Sequence, residues 1–317
     1  MNAFVNVVRA ELFKVRRKRR TFVVAGLWWV LLPVLALVVG RVLLDNLGGI
    51  ADDIGGMAPL LQEFASPFGI ARLGLVGPAY VSPTFYVIVV ALFAALLVGE
   101  ERTHSMWKTV LVVQPDRFAV LAGKFVVAMI AIGLLMGGAF VAGIAFGTLG
   151  MAFLPTDFSG GWSSLIGLYA VQWAFASALV ALAFLFVHVA RNVALGLVMV
   201  FFLPALFEGL YTVYAAVVGF QPINRFNAFL QTIRIRQVFE DLPTYFFTTN
   251  VYAPARRPAR DLVEAFGANA GGDGVDFDLG GLLGTGITLE HAAWVVTGYT
   301  VALLALFVWR FLRVDVD

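Results

Sequence analysis

Seven charged residues, Glu100, Glu101, Arg102, Lys108, Asp116, Arg117 and Lys124, fall between Gly99 and Lys124. The flanking runs, Leu73 to Gly99 and Phe125 to Thr156, carry no charge. Each is longer than the ~20 residues a helix needs to cross a bilayer. Mixed charges between two such runs suit a polar loop that meets a partner, because charges of both signs set orientation and register more than raw affinity. Glu208 is a second kind of candidate, one acid inside an apolar run. An intramembrane carboxylate marks a functional position by default, so Glu208 and Gln172 are the candidate polar handles of a substrate path. Glu208 lies beyond the middle of its run, nearer the outer surface, and can equally reach headgroups or a neighbouring helix.

Other chemistry is missing. No G-x-x-x-x-G-K-[ST] occurs; the nearest fragment, Ala122-Gly123-Lys124, lacks the first glycine and is followed by Phe125, so the chain is expected to bind no nucleotide by that route. The three histidines, His104, His188 and His291, have no acid at ligand spacing, and no metal site is expected. His104 and His188 read as exposed interfacial residues. With no G-x-S-x-G elbow and no cysteine, no catalytic residue is assigned. Gly271 to Leu279 nearly fits the calcium-binding nonapeptide, but Asp278 stands where a large apolar residue belongs, and one imperfect copy cannot stack; a solvated loop is expected.

The elements that must position these residues follow from composition. At 61% hydrophobic and 13% charged, the chain departs far from a soluble domain, which is ~45 to 50% apolar and ~25% charged. The fold class expected is all-α, a polytopic membrane protein with six transmembrane helices. Residues 1–20 place Phe4, Val8, Leu12 and Val15 on one helical face, with Arg9, Lys14 and Arg16 to Arg20 largely elsewhere. This is the pattern of a cytoplasmic interfacial helix, and a cleaved signal peptide is not expected because no A-x-A site follows. Residues 21–219 hold spans 1 to 5: 21–44, about 78–99, 125–150, about 165–187 and about 193–219. The segment 45–72 reads as an external loop with a short amphipathic helix. Residues 220–290 read as a long extracytoplasmic loop, beginning with an amphipathic helix that sets Phe226, Phe229, Leu230, Ile233 and Val238 on one face. Residues 291–317 hold span 6 and a cytoplasmic tail. Gly133/Gly137 and Gly143/Gly147 are small-x-x-x-small pairs that let helices approach, read as packing within the chain.

Sidedness follows from the cations. Fourteen of the 22 lie on the proposed inner side, and the short outer loops hold only Arg41 and Arg72. Short loops decide orientation, so both termini are expected in the cytoplasm, in the plasma or inner membrane. No nucleic-acid partner is implied.

Several features together resemble the permease subunits of type-2 ABC exporters. The segment Arg9-Ala10-Glu11-Leu12-Phe13-Lys14 is similar to their N-terminal helix. After the second span, Gly99-Glu100-Glu101, Ser105 to Leu111, Gln114-Pro115 and Leu121 to Lys124 look like the family's acidic pair, polar segment, proline and lysine, and Phe311-Leu312-Arg313-Val314-Asp315 like its ending. Two departures stand out: His104-Ser105 replaces the usual Gly-Thr, and the loop before the last span is much longer. The resemblance implies an ATPase-coupling surface of Glu100, Glu101, Arg102, Ser105, Lys108, Thr109, Gln114, Pro115 and Arg117, beside an interfacial helix carrying Arg9, Glu11, Lys14, Arg16 and Arg17. It also implies a separate ATPase subunit in two copies that holds the Mg-ATP, a second permease chain, identical or not, and no cofactor on this chain. Glu100 and Glu101 either touch the ATPase or brace against Arg16 to Arg20. The apolar spans fit export of an amphiphilic, drug-like or lipid-linked substrate. A membrane scaffold or receptor using the long outer loop, and a membrane-embedded enzyme, are the other readings.

Overall fold

A computed structural model describes residues 3–47, 64–77, 84–103, 116–217, 223–232, 236–255 and 287–313. About 91% of it is helical and no strand is present among the described residues, as a chain that must satisfy its backbone inside lipid requires. The first helix, α1 (Ala3–Arg17), breaks at Lys18, whose backbone is extended. Then α2 (Arg19–Gly26), a π turn (Leu27–Leu31) and α3 (Leu32–Leu47) run on as one rod. There follow α4 (Pro67–Val76), α5 (Phe85–Thr103), α6 (Arg117–Gly150), α7 (Trp162–Ala190) and α8 (Val193–Val217). Two short helices, α9 (Ile223–Thr232) and α10 (Arg236–Asp241), lead through a 3-10 turn (Leu242–Tyr245) to α11 (Phe247–Val251) and then α12 (Leu289–Arg313). Among the described residues, five helices are long and apolar enough to cross a membrane: the α2–α3 rod, α6, α7, α8 and α12. The chain is an all-α polytopic membrane protein.

The second crossing differs from the single helix expected from about Pro78. The apolar part of α5, Phe85–Gly99, is only ~22 Å long at 1.5 Å per residue, short of the ~30 Å hydrocarbon core. A second short apolar helix, α4, precedes it; its first six residues, Pro67 to Arg72, belong to the segment read from sequence as an external loop. Ser66 caps α4 by accepting from the Gly69 amide at 2.9 Å, Pro67 occupies its first turn, and Gly77 ends it at φ 74°. That positive φ suits glycine. Eight of its ten residues are buried, because it lies against the glycine face of α6: a Cβ on Gly143 would stand 2.6 Å from Ala71 Cα, and one on Gly147 2.3 Å from Pro67 Cα. On the other pair, Gly133 faces the Trp173 indole and Gly137 the Tyr169 hydroxyl. Both small-residue pairs therefore serve packing within the chain.

Indole and phenol donors fasten these contacts. Trp28 donates to the Gly74 carbonyl, one of the last and otherwise orphaned acceptors of α4, and Trp29 donates to Leu135 O, both at 2.8 Å. The π turn carries both tryptophans, which reach two different helices. The centre of the bundle is α7, two-thirds of whose most apolar window is buried; α8, at 11%, lies at the periphery. Arg191 closes the α7–α8 turn in the left-handed region at φ 55°, and Asn192 Oδ1 accepts from Ala194 N at 2.8 Å to start α8.

Candidate functional site

At the end of the molecule bearing the basic N-terminus, α1 is pressed onto the start of α6. A Cβ on Gly123 would come 2.6 Å from Val7 Cγ1, so only a glycine lets the two helices sit this close. One residue on, Lys124 is fully buried, and its ammonium donates to Glu11 Oε1 at 2.9 Å, across 113 residues of sequence. Lys14 donates to the same oxygen at 2.8 Å. Burying a charge is costly unless it is paired and hydrogen-bonded, and this pairing meets the requirement. The face carrying Phe4, Val8, Leu12 and Val15 turns toward the bundle, whereas its pattern alone suits a helix lying in the headgroup plane. Glu11 sits within that face rather than on the polar side, and Lys124, expected with the exposed charges of a loop, is core. The apolar pattern therefore served protein contact as well as lipid.

The charged stretch itself is also less of a loop than its composition suggests. Glu100, Glu101 and Arg102 lie in the last turn of α5. Asp116 caps α6, its carboxylate accepting from Ala119 N at 3.0 Å, and Arg117 opens the helix. At 34 residues, α6 is ~51 Å long, so it overshoots the hydrocarbon core and carries Arg117 and Lys124 on the same rod as the third span. His104, Ser105, Lys108, Thr109, Gln114 and Pro115 lie outside the described residues, as does the Gly271 to Leu279 fragment. Arg9, Arg16 and Arg17 are exposed on α1, with the Arg17 guanidinium 4.4 Å above the Phe13 ring. His188 is buried, its ring 5.4 Å from Phe307 and 5.6 Å from Phe311, instead of exposed. Among the described residues no cluster of histidine and acid side chains could hold a metal.

A second polar assembly occupies the opposite end. The amphipathic segment after α8 is two helices, α9 and α10, whose Phe226 and Phe239 ring Tyr214. Beyond them the chain turns back among the spans: Phe247, Asn250 and Val251 are buried, although the whole of 220–290 reads from sequence as an outer loop. Its depth can be gauged on two helices. Tyr299 donates to Tyr245 O at 2.9 Å from ten residues, or ~15 Å, into α12, and Glu208 meets Thr248 from nine residues, or ~14 Å, inside the far end of α8.

Non-helical backbone at such depth needs partners. Three successive carbonyls have them. Thr244 O accepts from Asn250 Nδ2 at 2.8 Å and from His291 Nε2 at 3.0 Å, Tyr245 O from Tyr299, and Phe246 O from Asn250 Nδ2 at 2.8 Å. Since a carbonyl only accepts, His291 carries its proton on Nε2. The amide donors at the start of α11 point to Glu208: Thr248 N donates to Oε1 at 2.8 Å, and the Thr248 hydroxyl donates to Oε2. Glu208 thus caps a helix 40 residues away. Gln172 is buried in α7, its backbone carbonyl accepting from the Tyr86 hydroxyl at 2.8 Å and its Oε1 without a partner among the described residues. The two candidate path residues meet different neighbours. Asn250, Tyr299 and Thr248 escaped sequence reasoning; the available signal was the lone acid in α8 with a Thr-Thr-Asn run downstream.

Residues 7–206 match a family model described as ABC-2 family transporter protein. No curated protein and no solved structure matches. The matched region contains Glu11, Glu100, Glu101 and Lys124 and ends two residues before Glu208.

Proposed function

Since the chain belongs to the ABC-2 transporter family, a family of membrane permeases of ABC transporters, we propose that its basic end is the cytoplasmic surface through which a separate ATPase subunit drives it. The observation that supports this reading is the Glu11–Lys124 pair. ATP-driven motion can reach the spans only through a stiff contact. Here the exposed cationic face of α1 is fixed by a buried ion pair and a glycine contact to α6, a helix that runs unbroken from Arg117 to Gly150. A push on α1 is a push on the third span. Glu100, Glu101 and Arg102, ending α5, would complete the surface with Ser105, Lys108, Thr109, Gln114, Pro115 and Arg117.

The same reading places both termini in the cytoplasm of a plasma or inner membrane, puts Mg-ATP on two copies of the partner, and requires a second permease chain to enclose the path. The apolar faces left outward on α8, among them Phe202, Leu206, Phe207 and Leu210, are available to lipid or to that chain. An amphiphilic, drug-like or lipid-linked substrate suits spans whose polar groups are few. Gln172 is the inward polar group, and Glu208 acts by holding the returning segment that closes the outer end. The test is a reconstituted complex with the ATPase. Reversing charge with Glu100→Lys is expected to leave ATP hydrolysis running while transport falls at least tenfold; unaltered transport with the bound ATPase retained overturns the coupling role.

A further inference from the structure

We propose that α9 and α10 form a lipid-docking surface, seated in the leaflet at the end opposite the basic N-terminus, where the acyl chains meet the headgroups. Their level is set by α8. At 25 residues that helix is ~37 Å long, against ~30 Å of hydrocarbon, so its last turn reaches headgroup depth. Tyr214 and Tyr211 stand three and six residues inside its end at Val217, and both hold the two short helices. The Tyr211 hydroxyl donates to Phe239 O at 2.8 Å, and the Tyr214 ring meets Phe226 and Phe239 at 6.3 and 6.1 Å between centroids. Helices tied to positions ~5 to 9 Å below the end of a span lie alongside the bilayer rather than above it.

The faces of α9 are divided to match. Its partly or fully buried positions, Ile223, Asn227 and Leu230, turn toward the protein. At ~100° per residue, Phe226 and Phe229 share one flank, and Asn224, Ala228 and Gln231 the other. Phe226, Phe229, Val238, Leu242 and Tyr245 are each between 38% and 62% exposed. The last three are four and three residues apart, a spacing that lines them up as one stripe. Glu240, across α10 from Val238, is exposed and paired with Arg236 at 2.7 Å. Five large apolar side chains uncovered together mark an interaction surface. Its occupant is lipid for two reasons. Leu210 and Val213, on the same stretch of α8, are exposed as well, so the patch continues the outward face of a helix that spans the bilayer. The apolar and polar flanks of α9 also lie side by side, as a helix at the boundary of lipid and water requires, with tyrosine at the same level.

The chain has no cysteine, so single cysteines report position directly. The experiment labels Phe229→Cys, Gln231→Cys, Val238→Cys and Glu240→Cys of the full chain with bimane in phosphatidylcholine nanodiscs. Quenching by lipid brominated near the top of its acyl chains is expected to be at least twofold stronger at 229 and 238 than at 231 and 240. Quenching by aqueous iodide should be at least twofold weaker at the same two positions. The two helices are probed independently, so if thermal melting shows one variant to be misfolded, the other helix decides the matter. Iodide reaching 229 and 238 as readily as 231 and 240 would overturn the proposal by placing the helices in water. Shielding of 229 and 238 from both quenchers would overturn it in favour of a covering protein surface, such as a second copy of the chain.

Discussion

Each end of the bundle places one carboxylate against a neighbouring helix, yet the two are built differently. At the basic end, Glu11 meets the ammonium of Lys124 directly, sealed from solvent. At the opposite end, Glu208 meets the amide and the hydroxyl of Thr248, and the rest of that assembly includes side-chain donors spread over the carbonyls of Thr244, Tyr245 and Phe246. A sealed ion pair resists being parted, because separation strands a charge in apolar surroundings. Separate hydrogen bonds on successive carbonyls can be exchanged one at a time for water or headgroups. The family match covers the first assembly and stops short of the second. The matched region thus holds the buried ion pair, and the distal hydrogen-bonded assembly lies outside it.

The largest expected effect comes from unpairing the stiff joint. Lys124→Met leaves Glu11 buried with Lys14 as its remaining partner, and removing one member of a buried pair costs about 3 to 5 kcal/mol, with Lys14 pulling the loss toward the lower figure. Thermal unfolding in detergent measures it. Replacing both partners, Glu11→Met with Lys124→Met, removes the stranded charge and should recover most of the stability. If the double variant is as unstable as the single one, the pair does not hold the joint and the contrast between the two ends collapses.

Glu208 is expected to respond more gently. Losing a helix cap costs about 1 kcal/mol, up to 2. Glu208→Ala should therefore raise hydrogen exchange at Thr248 and protease access to 244–255 while leaving global melting nearly unchanged. Glu208→Gln, which keeps an acceptor, should fall between. A fall in global stability as large as that of Lys124→Met would show the distal assembly to be as stiff as the basic one.

How far each end could be read from sequence follows the same division. Long apolar runs and the periodic face of α1 depend only on local order, so five long spans and an amphipathic N-terminal helix are legible, while the packing of its apolar face against α6 is not. Lys124 looked like one more loop charge, because its partner lies 113 positions away and sequence spacing cannot show a tertiary ion pair. The second crossing was misjudged at its start: Pro67–Val76 carries Arg72 and follows an acidic segment, which masks its apolar face, and its burial depends on the Gly143/Gly147 surface supplied by α6. The returning segment was illegible for a different reason. Short polar stretches such as Thr-Thr-Asn read as loop, and their burial rests on tertiary partners, Glu208 for Thr248 and the donors Tyr299 and His291 for the carbonyls of Tyr245 and Thr244 just before them.

The smallest effect expected is at Asp116, and it tests whether the basic-end joint is independent of the charged stretch before it. Its carboxylate satisfies one amide of the first turn of α6, so Asp116→Ala should cost about 1 kcal/mol locally and Asp116→Asn very little. Fraying should stop short of Lys124, two turns along, because there the helix is fixed by Glu11 and by the Val7–Gly123 contact rather than by its cap. Amide exchange is therefore expected to quicken over Arg117 to Val120 and to stay unchanged from Gly123 onward, with melting and assembly with the ATPase unaffected. Faster exchange spreading past Lys124 would mean that α1 rides on the cap as much as on the ion pair. The stiff joint would then extend into the charged stretch, and the contrast with the distal end would belong to the whole basic end instead of to one buried pair.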